Sequence, residues 1–156
     1  IFVAQLKLAS AFDLPIIMHV RHAIDDVLKN LRRYPVKGGI AHAFNGSMQQ
    51  AEAFIEMGFK LGFGGAMTYT RATHIQALAK SLPIESIVLE TDAPDIPPSW
   101  LGHQGINTPG ELHQIATFFA ELRGMNLTSV IETSHQNTLD ALPKIVQLCT
   151  SAENLH

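Results

Sequence analysis

Residues 86–92, SIVLETD, contain the clearest buried strand in the chain, and this stretch decides the predicted fold. A short run of apolar residues is typical of a parallel strand that is covered on both faces. Similar runs occur at 14–19 (LPIIMH), 37–42 (KGGIAH) and 59–65 (FKLGFGG). Segments with the apolar spacing of helices separate these four runs, which predicts right-handed βαβ units around a parallel sheet.

The predicted helices alternate with the strands and continue beyond the last of them, at 1–12, 22–34, 48–57, 71–81, 108–122 and from 129 onward. The TPGE sequence at 108–111 predicts a capping box at the start of the fifth helix. The fold class is therefore α/β, either as an open doubly wound sheet or as part of a (βα)8 barrel. The length suits one domain, so we expect residues 1–156 to form a single domain.

Composition excludes several classes of protein. Apolar residues make up 46% of the chain and charged residues 16%, which argues against disorder. The net charge is −3, so the chain has no excess of basic residues for sequence-independent binding of DNA. A polyanionic substrate would then have to be neutralised by a metal ion rather than by lysines.

The lone cysteine, Cys149, excludes a disulfide framework and a cysteine metal site, and it favours a cytoplasmic location. No apolar run approaches the ~18 residues that a membrane span requires, and no signal peptide opens the chain. The first residue is Ile1 rather than methionine, so we expect the chain to be a fragment of a longer protein.

Three of the four predicted strands end in a good metal ligand, namely His19, His42 and Asp92. Ligands of parallel α/β sheets bind beyond the carboxyl ends of the strands. A single histidine at a strand end is usually an ordinary hydrogen-bonded residue, but three such ligands at three strand ends favour a site. Imidazole and carboxylate together suit Zn, Mn, Fe or Ni better than Mg.

Arg21 follows His19 closely and could bind a phosphate or a carboxylate of the substrate. A solvated arginine at a helix start explains it equally well. The remaining histidines lie in predicted helices or loops, and we expect no metal ligand among them.

Several stretches, taken together and in this order, resemble the TatD deoxyribonuclease family. They are QLKLA (5–9), LPIIMHVR (14–21), IAHAFNGS (40–47), GFGG (62–65), LETDAP (89–94) and NTP (107–109). The resemblance covers nearly the whole chain. ETDAP is a fairly specific motif, whereas LPxxxH alone would be a weak one.

This resemblance implies the C-terminal part of a TIM-like (βα)8 barrel that hydrolyses phosphodiesters, with DNA as a substrate of several members. The family usually holds two divalent ions, for which Zn, Mg and Mn are the candidates here. The motifs assign His19 and His42 to the second ion. They assign Asp92 to the first ion and to catalysis, where it steers or deprotonates the attacking water. We expect Arg21 and Asn107 to contact the substrate.

The family's His-x-His strand and bridging glutamate normally lie upstream of the part that this chain resembles, and the chain contains neither. We therefore expect the N-terminal strands to be absent. A two-metal mechanism cannot be assembled from this chain alone. The rest of the site would come from another chain, from self-association, or from sequence outside these residues.

Two other functions remain open at this point. The chain could belong to a related metal-dependent hydrolase that acts on an ester, amide or lactone, because barrel folds support many chemistries. It could also be an inactive remnant or an interaction module.

Overall fold

Four parallel strands lie side by side in chain order and form one sheet. The computed structural model describes residues 1–20, 23–102 and 104–144. The strands are β1 Ile16–His19, β2 Gly39–His42, β3 Phe59–Phe63 and β4 Ile87–Leu89. Each strand is hydrogen-bonded in parallel to the next one. The predicted parallel α/β sheet is confirmed.

Within these described ranges six helices accompany the strands: α1 Phe2–Ala11, α2 Ile24–Arg33, α3 Met48–Glu56, α4 Thr73–Ser81, α5 Leu112–Arg123 and α6 Leu127–Ala141. Gly58 and Gly124 follow α3 and α5 with φ of 81° and 64°, a conformation that glycine adopts at little cost at the end of a helix. None of the helices in the described part of the chain is long and apolar enough to cross a membrane.

The main core lies between the helices and one face of the sheet. Met18, Ala41 and Leu61 point into it from three successive strands. Because side chains alternate between the two faces of a strand, the residues next to them point to the opposite face. On that face Ile40 and Val88 form a second small apolar cluster, while Ile17 on the outermost strand β1 is 59% exposed.

The fourth strand is shorter than the sequence predicts, and the strand end assigned to Asp92 is wrong. β4 ends at Leu89, and Glu90 extends the pairing only by donating its N–H to the carbonyl of Phe63. Asp92 follows in a loop with φ of 55°, a left-handed conformation that aspartate tolerates better than most residues. The chain therefore leaves the sheet before it reaches the predicted ligand.

The capping box predicted at 108–111 is also wrong. Thr108 precedes a short 3-10 turn, Pro109–Glu111, and its side chain makes no capping hydrogen bond. The carboxylate of Glu111 instead accepts a hydrogen bond from the indole N–H of Trp100 at 2.7 Å. A capping box does form at the start of α3, between Ser47 and Gln50.

Candidate metal centre

The two strand-end histidines lie side by side at the carboxyl end of the sheet. His19 and His42 are register partners on β1 and β2, so their side chains leave the sheet on the same face. His19 Nδ1 is 3.1 Å from His42 Nε2. The regular pairing of two parallel strands is therefore sufficient to bring two imidazoles into contact.

Asp92 reaches the same place from the loop after β4. Its Oδ1 lies 3.8 Å from Nδ1 of His42, and the two side chains are 32% and 20% exposed. Nδ1 is the ring nitrogen of His42 that does not face His19. His42 thus stands between the other two predicted ligands, with one nitrogen toward each.

The two imidazole nitrogens are at hydrogen-bond distance, and their separation is also compatible with two ligand positions of one divalent cation. Nitrogens bound at about 2.0–2.1 Å to a tetrahedral zinc ion would be about 3.3 Å apart. The 3.1 Å between His19 Nδ1 and His42 Nε2 is close to that separation. Within the described ranges, however, no group of three or more His, Cys, Asp or Glu side chains is arranged to hold one ion. Metal binding by these residues stays a prediction, and the geometry favours a pair plus a neighbouring carboxylate over a single three-ligand centre.

Glu90 is a further residue of this site, which the sequence analysis did not identify. Its carboxylate crosses over β3 and accepts the backbone N–H of Ala43 at 2.5 Å. Gly62 lies beneath it, and a Cβ at that glycine would collide with the carboxylate. Because Ala43 follows His42 directly, Glu90 ties the end of β2 to the loop that carries Asp92. The signal in the sequence is an acidic residue immediately after a buried apolar strand.

Burial raises the pKa of Glu90 from 4.5 to about 7. The N–H of Ala43 opposes this rise by stabilising the carboxylate, and the negative charge of Asp92 adds to it. Glu90 therefore changes its charge near neutral pH in the absence of a metal ion.

Asn107 holds the Asp92 loop in place. Its side chain is 2% exposed, and Nδ2 donates to the carbonyl of Thr91 at 2.7 Å and to that of Asp95. A longer contact of 3.4 Å reaches the carbonyl of Ile96. These contacts are those of a residue that positions the loop, and the predicted contact of Asn107 with substrate stays a prediction.

Arg21, the other predicted substrate contact, lies outside the described residues, as do His22, His103, Cys149 and His156. Of the histidines that the structure describes elsewhere, His74 contacts the carbonyl of Gly46 at 2.9 Å.

Replacing Asn107 by alanine is expected to loosen the Asp92 loop. The substitution leaves partly buried carbonyls without this donor, so the free energy of unfolding should fall by about 1–2 kcal/mol. Amide hydrogen exchange across 91–96 should become faster in Asn107→Ala.

Asn137 offers a matched control for this prediction. It is 3% exposed and donates to the carbonyls of Ile84 and Ile87 at 2.8 and 2.7 Å, at the amino end of β4. Asn137→Ala should lose similar stability in urea unfolding but leave exchange at 91–96 as in the parent. Equal protection of that loop in both variants would contradict the positioning role of Asn107.

Comparison with known proteins reveals relatives that are about twice as long as this chain. The chain is 40% identical over 136 residues to the uncharacterized metal-dependent hydrolase YjjV of Escherichia coli K12, a match that covers 86% of this chain and 52% of that protein. It is 30% identical over 148 residues to the human deoxyribonuclease TATDN3, covering 95% of this chain and 52% of that protein. The chain thus spans about half the length of the curated relatives it matches.

Solved structures agree with the sequence matches. The crystal structure of YjjV, a TatD homologue from Escherichia coli K12, matches with a TM-score of 0.82 at 38% identity, over 89% of this chain and 54% of that one. A TatD-family hydrolase from Entamoeba histolytica matches in fold, with a TM-score of 0.71 at 16% identity, over 90% of this chain and 54% of that one. The sheet is therefore part of a TIM-like barrel, as predicted. The profile of the TatD-related DNase family matches residues 1–143, and the chain belongs to that family.

Proposed function

We propose that this chain carries part of the active site of a metal-dependent hydrolase that cleaves phosphodiester bonds, with DNA as the preferred class of substrate. The observation that carries the proposal is the contact of His19 with His42 beside Asp92, at the carboxyl end of parallel strands. Membership of the TatD-related DNase family and the name of the human relative, deoxyribonuclease TATDN3, support the same chemistry.

In this mechanism His19 and His42 would hold a divalent cation, for which Zn, Mn and Mg are the candidates. When bound, such a cation lowers the pKa of water and stabilises negative charge on phosphoryl oxygens. Asp92, which is about one-third exposed, orients the attacking water and accepts its proton. Glu90 keeps the end of β2 and the Asp92 loop at a fixed separation through Ala43.

The proposed site needs more ligands than the described residues supply. In the part of the chain that the structure describes, the outer strands β1 and β4 each have a strand neighbour on one side only, and Ile17 on β1 is 59% exposed. Further strands could add ligands at either edge. These would come from another part of a longer chain, from a separate chain, or from a second copy of this one. As part of the same proposal, residues 1–156 form a single domain.

The charge and the cysteine content refine the proposal. A net charge of −3 disfavours tight binding of duplex DNA, so single-stranded DNA or short phosphodiesters are the preferred substrates. The single cysteine in the sequence supports a cytoplasmic place of action.

A panel of substrates and a metal measurement test this function. After incubation with Zn²⁺ or Mn²⁺ and removal of free metal, the parent should retain metal by elemental analysis, and His42→Ala should not. The exposed His135 on α6 supplies the control variant His135→Ala, which should retain metal like the parent. When the missing ligands are supplied by a longer chain or by a partner chain, the metal-loaded parent should hydrolyse single-stranded DNA and bis(p-nitrophenyl) phosphate but not p-nitrophenyl acetate.

Each other result of this panel supports a different function. Hydrolysis of the acetate alone would replace the proposal by a hydrolase of carboxylic esters, amides or lactones. A chain that neither retains metal nor turns over any of these substrates would be an inactive remnant or an interaction module, and the proposal would be wrong for it.

A further inference from the structure

A cleft opens beside the histidine pair, at the mouth formed by the loops that follow the strands. It has a volume of about 490 Å³, and its lining includes His19, Phe44, Ile75 and Ile96. His19 therefore belongs both to the metal pair and to the wall of this cleft. A group bound in the cleft would be a direct neighbour of the reacting bond.

The lining of the cleft selects for an uncharged group. Among the described residues that line it, His19 alone has an ionisable side chain. Besides His19, Asn45 contributes a polar side chain to the lining, and this side chain is exposed to solvent. Apolar walls with one amide suit a flat ring that carries hydrogen-bonding groups on its edge, and the volume lies in the usual range for small-ligand sites.

Ile96 is held in the cleft wall by a strained backbone. Its φ is 47°, a left-handed conformation that a β-branched residue rarely adopts because it is strained. Two neighbours fix it there. Asn107 Nδ2 contacts its carbonyl, and Gly65 packs so closely against that carbonyl that a Cβ would collide with it. Strain that the surroundings maintain in this way is typical of functional sites.

The opposite wall is fixed in a similar way. Gly64 lies in the cleft lining, and a Cβ on it would come within 2.7 Å of the backbone carbonyl oxygen of Glu90. The backbones at Gly64 and Glu90, just beyond β3 and β4, are therefore in close contact, and a side chain at position 64 would collide there.

From this geometry we infer that the Ile96 cleft binds an uncharged ring of the substrate, most favourably a nucleobase, next to the phosphodiester bond that is cleaved. Ile75 and Ile96 determine this specificity by contacting the faces of the ring, and the amide of Asn45 can hydrogen-bond to its edge. The inference rests on the proposed function for the identity of the reacting bond. The cleft itself is formed without any metal ion.

Binding of thymidine to the metal-free chain tests the inference, because thymidine carries a nucleobase and no phosphate. Titration followed by two-dimensional NMR should show saturable shifts at the amides of Phe44, Ile75 and Ile96. Dimethyl phosphate, a phosphodiester without a ring, should cause none. Ile96→Gly removes the wall and relieves the strain, so thymidine binding should weaken by about tenfold while the fold is retained. Ile75→Ala should weaken it as well.

The matched control is Ile106→Gly, in the same loop before α5. Ile106 is 80% exposed and does not line the cleft. This variant should bind thymidine like the parent. If phenol, an uncharged ring without a nucleobase, binds as well as thymidine does, the cleft binds an uncharged ring and an aryl ester rather than a nucleotide supplies it. No saturable binding of either ring, or unchanged binding in Ile96→Gly, would overturn the inference.

The two proposals fail separately. Thymidine binding without any hydrolysis would refute the proposed function and leave the cleft assignment intact. Hydrolysis of bis(p-nitrophenyl) phosphate with a KM that is the same in Ile96→Gly and in the parent would refute the cleft assignment alone.

Discussion

Replacing Asp92 by asparagine is expected to lower kcat for phosphodiester hydrolysis by about 10²–10⁴-fold, the usual contribution of a general base. The substitution keeps the shape of the side chain but removes its ability to accept a proton from water. Asparagine also tolerates the left-handed backbone at this position, where φ is 55°, so the fold should be spared. The measurement is kcat on bis(p-nitrophenyl) phosphate, together with the urea midpoint of unfolding.

Asp13 provides a control with the same backbone conformation. It also has φ of 55°, and its exposed carboxylate pairs with Lys37 at 2.6 Å. Exposed pairs of this kind contribute little to stability, so Asp13→Asn should leave both kcat and the urea midpoint close to those of the parent. If Asp92→Asn retains full turnover, the catalytic role of Asp92 is excluded. An equal loss in both variants would point to general destabilisation.

The sequence predicts those parts of the site that depend on regular strand pairing. His19 and His42 end apolar runs of similar length, and parallel pairing with matched register brings such residues together. For these two residues, knowing that the strands were neighbours was sufficient to predict their contact. The alternation of strands and helices along the chain in turn predicts that these two strands are adjacent in the sheet.

The parts that depend on loop conformation could not be predicted in the same way. The run through 86–92 predicts a strand up to Asp92, but the chain leaves the sheet after Leu89. The hydrogen bond from Ala43 to Glu90 crosses an intervening strand and joins residues 47 positions apart in the chain. No local pattern encodes such a contact. Gly62 leaves space for the carboxylate only through the three-dimensional approach of β3 to Glu90, which the glycine itself does not encode.

Asn107 illustrates a similar limit. The family motif marks the residue, and a role in substrate binding is a natural prediction for an asparagine near an active site. In the structure its amide contacts the carbonyls of the Asp92 loop, and its contact with substrate stays a prediction. A side-chain amide can hydrogen-bond to a loop backbone or to a substrate, so the residue type alone does not distinguish the two roles.

The second large effect is expected from the ionisation of Glu90, which should make the stability of the metal-free protein depend on pH. Its pKa is about 7 in the folded chain and close to 4.5 when unfolded. Below about pH 4.5 both states hold the proton, so Glu90 causes no pH dependence there. Between that pH and about 7 the unfolded chain releases a proton that the folded chain keeps, and stability falls as the pH rises. Above about pH 7 the loss is complete and amounts to as much as about 3 kcal/mol.

Substitution of Glu90 by glutamine should remove this dependence, because the amide stays neutral and its oxygen can still accept the N–H of Ala43. Glu90→Gln is therefore expected to exceed the parent in unfolding free energy at pH 8, by up to about 3 kcal/mol, and to match it near pH 4.5. Urea unfolding in the presence of a chelator, repeated across this range, measures the difference. Glu132→Gln, at an exposed position on α6, should follow the parent at every pH. If the unfolding free energies of Glu90→Gln and the parent change with pH in the same way, the cost of burying the Glu90 carboxylate is already compensated. The hydrogen bond from Ala43 would then stabilise the charged form of Glu90 as strongly as burial and the charge of Asp92 oppose it.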